Sequence, residues 1–203
     1  MTSRFLYLVR HGAATAEGEL SEAGGQQARL TGQRLKGRPF SAIHHSPVQR
    51  AAQTAALIAE YLPSVPVLAS DLLADFIPSS PDPSSLPPSF ARLVTQYSIT
   101  ERNEGPALAM AAAQRYARPG EPGEQEIHEL IVTHNFLIGW FVRQAMDAPD
   151  WRWLGLNQQN CALTVIMYRT GMPAALVSYN DAGHLPPELR WTGFPAGLRP
   201  TTG

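Results

Sequence analysis

The chain has 203 residues, 44% apolar and 16% charged, and a formal net charge of −1. That length and balance fit one globular domain with a proper core, and they argue against a general nucleic-acid or polyanion binder. A single cysteine, Cys161, excludes an internal disulfide, so nothing ties the chain to an oxidising compartment.

The N-terminal "MTSRFLYLVRHG" has too short an apolar stretch for a signal peptide, and no run in the sequence reaches membrane-spanning length. A soluble, cytoplasmic protein with no nucleic-acid or membrane partner is the expectation.

Taken in chain order, Phe5 to Val9 is a short apolar run stopped by Gly12, the pattern of a buried strand. Ser21 is placed as an N-cap, with an amphipathic helix from Gln26 to Leu35. Ala42 to His45 reads as a second strand. "SPVQRAAQTAALIAEYL" then predicts a helix with Pro47 in its first turn and Ala51, Ala55, Ile58 and Leu62 on one face. Val65 to Leu68 is a third strand.

The Pro- and Ser-rich "PSSPDPSSLPP" of residues 78–88 predicts an irregular surface excursion, at about residues 76–90, within the single domain 1–203. The alanine-rich segment from Glu104 to Arg118 favours helix. "RPGEPGEQ" is a turn-rich loop. Glu129 to Val132 forms a strand ending at Thr133 and His134, and Phe136 to Met146 an apolar helix that belongs in the core. Cys161 to Tyr168 and Ala174 to Tyr179 flank "RTGMP" as a hairpin. Strands alternating with helices predict an α/β fold, a three-layer α/β/α sandwich with a mostly parallel central sheet.

Arg10 and His11 follow the first strand, Arg50 stands in the helix after the second, and His134 follows "LIVT". In an open α/β sheet, ligands bind beyond the carboxyl ends of the strands. Two arginines there offer planar, bidentate donors to a phosphate. A neutral imidazole whose other nitrogen donates to a carbonyl can act as a nucleophile. Taken singly, each of these residues also fits a structural or solvated position; the set of contexts favours chemistry.

"LVRHG", "SPVQRAAQTA" and "IVTHN", in this order and spacing, resemble the histidine phosphatase (phosphoglycerate mutase-like) superfamily across essentially the whole chain. The resemblance implies that His11 is a nucleophile that becomes phosphorylated, and that Arg10, Arg50 and His134 hold the phosphoryl oxygens. It implies a phosphomonoesterase that needs no metal and no cofactor, acting on a phosphorylated small molecule or a phosphopeptide. A phosphotransferase or mutase and a non-catalytic phospho-ligand-binding protein are the alternatives within that fold.

In the family the general acid is commonly a carboxylate after the third strand. "DLLADFIPSSPDP" offers Asp71, Asp75 and Asp82. The segment is similar to the mitochondrial Ser/Thr phosphatase branch, which puts Asp75 on the acidic position; a loop carboxylate capping a turn is the plain alternative. "LNQQNCALTVI" resembles the stretch in which an asparagine precedes the hairpin, and "NDAGHLPPELR" that branch's turn followed by "PP".

Gly12 is expected to let the backbone turn close to the phosphate, Asn135 to donate an amide to it, and His184 to point towards the pocket. Asn135 stands where the family often has glycine, and "AATAEGELSEAG" lacks the residues that sugar-phosphate mutases use, which counts against a mutase. His44, His45 and His128 have no motif support. A zinc site from His44 and His45 is disfavoured, since strand neighbours point to opposite faces.

Overall fold

A computed structural model describes residues 2–121 and 125–199. Its strands are β1 (Ser3–Arg10), β2 (Phe40–His45), β3 (Val67–Ala69), β4 (Ile127–Thr133), β5 (Leu163–Arg169) and β6 (Ala175–Asp181). Its α-helices are α1 (Glu22–Leu35), α2 (Gln49–Ala59), α3 (Pro88–Thr95), α4 (Ile99–Tyr116) and α5 (Asn135–Ala145). Among the described residues the strands form one sheet in the order β3-β2-β4-β1-β5-β6. β3, β2, β4 and β1 run parallel, and the β5–β6 hairpin adds two antiparallel pairings.

Both faces of the inner strands are buried, which is why their sequences read as continuous apolar runs rather than alternating ones. The period of two still sorts the side chains. Tyr7, Val9, Leu130 and Val132 face α1 and α2 through Leu35, Ala55 and Ile58. Leu6, Leu8 and Ile131 face α4 and α5 through Ala112, Tyr116, Leu137 and Phe141. The expected three-layer sandwich is therefore present, with the apolar α5 in the core. No helix among the described residues is long and apolar enough to cross a membrane.

Ser21 caps α1 by accepting from the Gly24 amide at 3.1 Å. The helix starts four residues earlier than expected, because tertiary contact carries Gly24 and Gly25 despite their low propensity. Pro47 lies before α2 rather than in its first turn; Val48 is the N-cap, and the Ser46 hydroxyl accepts from its amide at 3.2 Å.

The third strand is shifted to Val67–Ala69 at the sheet edge. α4 begins at Ile99 because Ser98 and Glu101 form a capping box. Pro106 inside that helix hides the start from a propensity reading. Residues 122–124 of the "RPGEPGEQ" loop lie outside the described residues.

The largest departure concerns the Pro-rich excursion. Ile77, Pro78, Ser79 and Leu86 are buried, Pro83–Ser85 forms a 3-10 turn, and Pro88 opens α3. Leu86 and Val94 pack with Ile77, Trp153 and Leu154 in a satellite core, with Phe90 against it. A proline that cannot donate is well placed at a helix start, so a Pro-rich string can end in a helix.

Candidate active site

The parallel strands β1, β2 and β4 end together, and that common edge assembles the site. In register, Val9 pairs with Val132, and Val132 with His45. The ladder continues one step past the strands: the His11 amide donates to the Thr133 carbonyl at 2.9 Å, and Ser46 to Val132 at 3.0 Å. His11, Ser46 and His134 thus leave the sheet at one level, and α2 brings Arg50 over them.

His11 is nearly buried. Its Nδ1 lies 2.8 Å from the Gly12 carbonyl, which can only accept. Nδ1 therefore carries the proton and Nε2 keeps its lone pair. Arg50 Nε donates to that Nε2 at 3.1 Å. Burial pushes the His11 pKa down to about 3; the Gly12 bond opposes this, and His134, Arg10 and Arg50 add to it. The ring is neutral at pH 7.

His134, 5.2 Å away between ring centroids, is also held down to about 3, by burial first and then by Arg50 and Arg10. Its Nε2 meets the Ser46 hydroxyl at 2.8 Å, and its Nδ1 lies 3.3 Å from Arg50 Nη2 and 3.5 Å from Asp75 Oδ2.

Arg10 is anchored from the far end of the chain. Its Nη1 donates to the Gln158 and Gly193 carbonyls, both at 2.7 Å. Burial lowers its pKa to about 10, Asp75 raises it and Arg50 lowers it, so it stays cationic at neutral pH. Arg50 Nη2 also donates to Asp75 Oδ2 at 2.6 Å.

The cleft in front of this group has a volume of about 380 Å³. Arg10, His11, Asp75, His134 and Asn135 line it, as do Tyr97, Glu101 and Phe136. Of the three acidic candidates only Asp75 lines the cleft. Asp82 caps Ser84 at 2.9 Å, and Asp71, itself exposed, opens a 3-10 turn.

Three expectations change. Gly12 is buried against α1 rather than lining the cleft: a Cβ there would lie 2.6 Å from the Gly24 carbonyl oxygen. Its service to the site is the carbonyl that fixes His11. Asn135 is on the cleft wall, but its amide bonds Asn157 Oδ1 at 3.3 Å and the Gln158 amide at 2.8 Å. It thereby holds the loop whose carbonyl anchors Arg10.

His184 does not reach the cleft. It donates from Nε2 to Thr31 Oγ1 at 3.0 Å and faces Arg34 at 3.3 Å, because the turn after β6 folds onto α1.

Several supporting residues were not singled out from the sequence. Asn160 Nδ2 donates to the His11 carbonyl at 2.7 Å. Thr54 Oγ1 accepts from the Gly12 amide at 3.0 Å, and Ser46 orients His134. The asparagine before the hairpin was the one visible pointer. Gly193, with φ near +68, lies where a Cβ would be 2.9 Å from Arg10 Cζ, and no local pattern announces it.

Comparisons with known proteins bear on the family and the fold. A family model described as histidine phosphatase superfamily (branch 1) matches residues 6–76. The mouse serine/threonine-protein phosphatase PGAM5, mitochondrial, is 29% identical over 194 residues, 92% of this chain; the chain spans 65% of that relative's length.

Among solved structures, Bacillus stearothermophilus YhfR superposes with a TM-score of 0.69 at 23% identity, covering 89% of this chain and 98% of that one. Plasmodium falciparum phosphoglycerate mutase gives 0.63 at 22%, covering 92% and 96%. With motifs, sheet order and relatives in agreement, the chain is similar to the histidine phosphatase superfamily, whose model its residues 6–76 match, and it has the phosphoglycerate mutase-like fold.

Proposed function

We propose that the protein is a phosphomonoesterase that works through a phosphohistidine on His11, without a metal. The observation that carries this reading is the His11 hydrogen-bond pattern: Nδ1 is committed to the Gly12 carbonyl, and Nε2 is left unprotonated, its lone pair accepting from Arg50 Nε. Arg10, Arg50 and His134 surround the position where a phosphoryl group would meet that nitrogen. Donors so placed offset charge spread over three equatorial oxygens.

In the first step His11 Nε2 forms a bond to phosphorus as the ester P–O bond breaks. Asp75, as general acid, delivers a proton to the leaving alkoxide. In the second step water attacks phosphorus, Asp75 takes the water's proton, the P–N bond breaks, and phosphate and free His11 remain. Arg50, which bonds both His11 and Asp75, exchanges those contacts for phosphoryl oxygens.

The loop 13–18 lines an open neighbouring cavity of about 560 Å³ that also contains Arg10, His11 and Asp75. Water access of this kind supports hydrolysis over transfer to a second sugar phosphate. The substrate proposed is a phosphorylated small molecule or a phosphopeptide. A cytoplasmic location is part of the proposal, supported by the lone, buried cysteine and checked by cell fractionation. The mouse relative's name places that protein in mitochondria.

The test is hydrolysis of p-nitrophenyl phosphate in EDTA. Wild type is expected to turn over, and His11→Ala to lose about 10³-fold or more. Acid-labile, alkali-stable phosphate on His11 should appear on rapid quenching. Asp75→Asn should slow alkyl phosphates about 10²-fold and aryl phosphates far less, because a phenolate leaves without a proton. EDTA-resistant activity equal in wild type and His11→Ala sinks the mechanism.

A further inference from the structure

Beside the catalytic cleft lies a second cavity of about 410 Å³, large enough for a ring and several carbons. Its walls are Phe90 and Leu93 of α3, Phe136 of α5, Trp153 and Leu154, and Leu198 near the C-terminal end of the described chain. Asn135 and Phe136 line both cavities. The two therefore adjoin at the start of α5, one residue past His134, with Phe136 between them.

Several polar atoms at this junction are engaged within the protein. Asn135 and Asn157 bond each other, Asn135 Oδ1 takes the Gln158 amide, and Trp153 Nε1 donates to Ser79 Oγ at 2.7 Å. The indole therefore offers the cavity only carbon. Phe136 is braced edge-on against Trp153 at 4.9 Å and Tyr97 at 6.2 Å, so the partition between the cavities is preformed. Arg92, at an exposed position, is the charged side chain on the lining.

We propose that this cavity is a specificity site for an apolar aryl or branched-alkyl group, carried on a short spacer from the phosphate ester that the cleft takes. The proposal rests on the phosphatase reading above and narrows it to esters with an apolar body. The chemistry follows from the lining: water against these carbons has few partners, so an apolar group that displaces it gains affinity. A polar sugar body would lose hydration against the aromatic and leucine walls, with polar partners only at the rim, in Ser89, Arg92 and Gln96. Much of this wall comes from the excursion and α3.

The experiment compares kcat/KM for ethyl phosphate and 4-phenylbutyl phosphate, whose alcohols leave with similar difficulty, so that the ratio reports contact with the body. Wild type is expected to prefer the phenylbutyl ester about tenfold or more. Ser89→Trp, at an exposed position on the cavity rim, and Leu198→Asp, at the 61% exposed Leu198, are expected to bring the ratio near one. Met172→Ser, in the β5–β6 turn, is the control and keeps the wild-type ratio.

A second pair, phosphoserine peptides with Phe or Ala beside the phosphoserine, identifies the source of the group. Selectivity in the peptide pair points to a phosphoprotein and selectivity only in the alkyl pair to a small molecule; either supports the site. Calorimetric binding of ethylphosphonate and 4-phenylbutylphosphonate reads the cavity without turnover. A tenfold affinity ratio with no hydrolysis would sink the phosphatase reading while keeping the site. Turnover that depends on His11 but shows equal affinities and equal kcat/KM overturns the site. A ratio near one that rises only on dilution would show a second copy seated in the cavity, and also overturns it.

Discussion

Arg10 reaches across 183 positions of sequence to bond Gly193, and this pairing explains what the phosphate-holding role proposed for Arg10 needs beyond its charge. The Gln158 and Gly193 carbonyls hold Nη1, which fixes the plane of the guanidinium before any phosphate arrives. Gly193 is suited to that place because its φ of about +68 is costly for other residues, and because a Cβ would press on Arg10 and on Asn160 Oδ1 at 2.4 Å.

Gly193→Ala is therefore expected to cost about 1–2 kcal/mol in stability from the left-handed backbone. It should lower kcat/KM about 10²-fold by displacing Arg10 and Asn160. A thermal melt and steady-state kinetics check the two effects; unchanged kcat/KM would show that Arg10 needs no such brace. Arg10, His11, Arg50 and His134 were legible in the sequence because each sits at a strand end or helix start with a characteristic local string. Gly193 and Ser46 were not legible as site residues, since their work is a long-range bond that no local spacing encodes; Asn160 was hinted at only by its place before the hairpin. His184 misled for the converse reason: a histidine in a turn carries no record of which way the turn folds.

At the scale of elements, the segment after β3 is held at two points and carries Asp75 between them. Thr133 Oγ1 donates to the Leu73 carbonyl at 2.7 Å, and the Ile77 carbonyl lies against Gly105 of α4, where a Cβ would be only 2.0 Å from it. Gly105→Ala sets two effects against each other. Helix propensity favours alanine by about 1 kcal/mol, while forcing a methyl into packed backbone costs about 1–3 kcal/mol.

Backbone cannot step aside as a side-chain tip can, so the clash wins and the variant should unfold at lower urea. Because the displaced strand of chain carries Asp75, kcat for alkyl phosphates should fall more than kcat for aryl phosphates. Equal losses for both would mean that the segment moves without Asp75. The sandwich itself was readable from apolar runs and helical faces. α3 was hidden because a Pro-rich string reads as irregular until the apolar spacing of Leu86, Phe90 and Val94 is seen to have a satellite core to meet. The start of α4 was hidden by Pro106, although Ser98 and Glu101 were the stronger signal.

For the whole molecule, gathering neutral histidines under arginines links stability to pH. His11 and His134 are each pushed to about 3 and His184 to about 4, with burial the first cause in all three. A histidine in the unfolded chain titrates near 6.5. Between that value and the folded ones, the unfolded state binds protons that the folded state refuses. Stability is thus fully present above about pH 6.5 and is lost as pH falls towards 4 and 3.

Asp181, held below the usual carboxylate range by its bonds to Gly183 and Arg34 against the opposing effect of burial, adds its own loss only at the acidic end, so the window from 6.5 to 5 belongs to the histidines. Urea unfolding at pH 7.5, 6.0 and 5.0 should show a falling midpoint. The double variant His11→Gln, His134→Gln should show a much flatter profile over the same range, whatever its absolute stability. A dianion bound at the proposed site would reverse the sign, because it favours protonated neighbours; saturating sulfate, a dianion at both pH values, should stabilise wild type more at pH 6 than at pH 8, and the double variant by nearly equal amounts at both. If wild type and the double variant keep the same pH slope, the two histidines are not the neutral, buried pair that the cleft geometry requires.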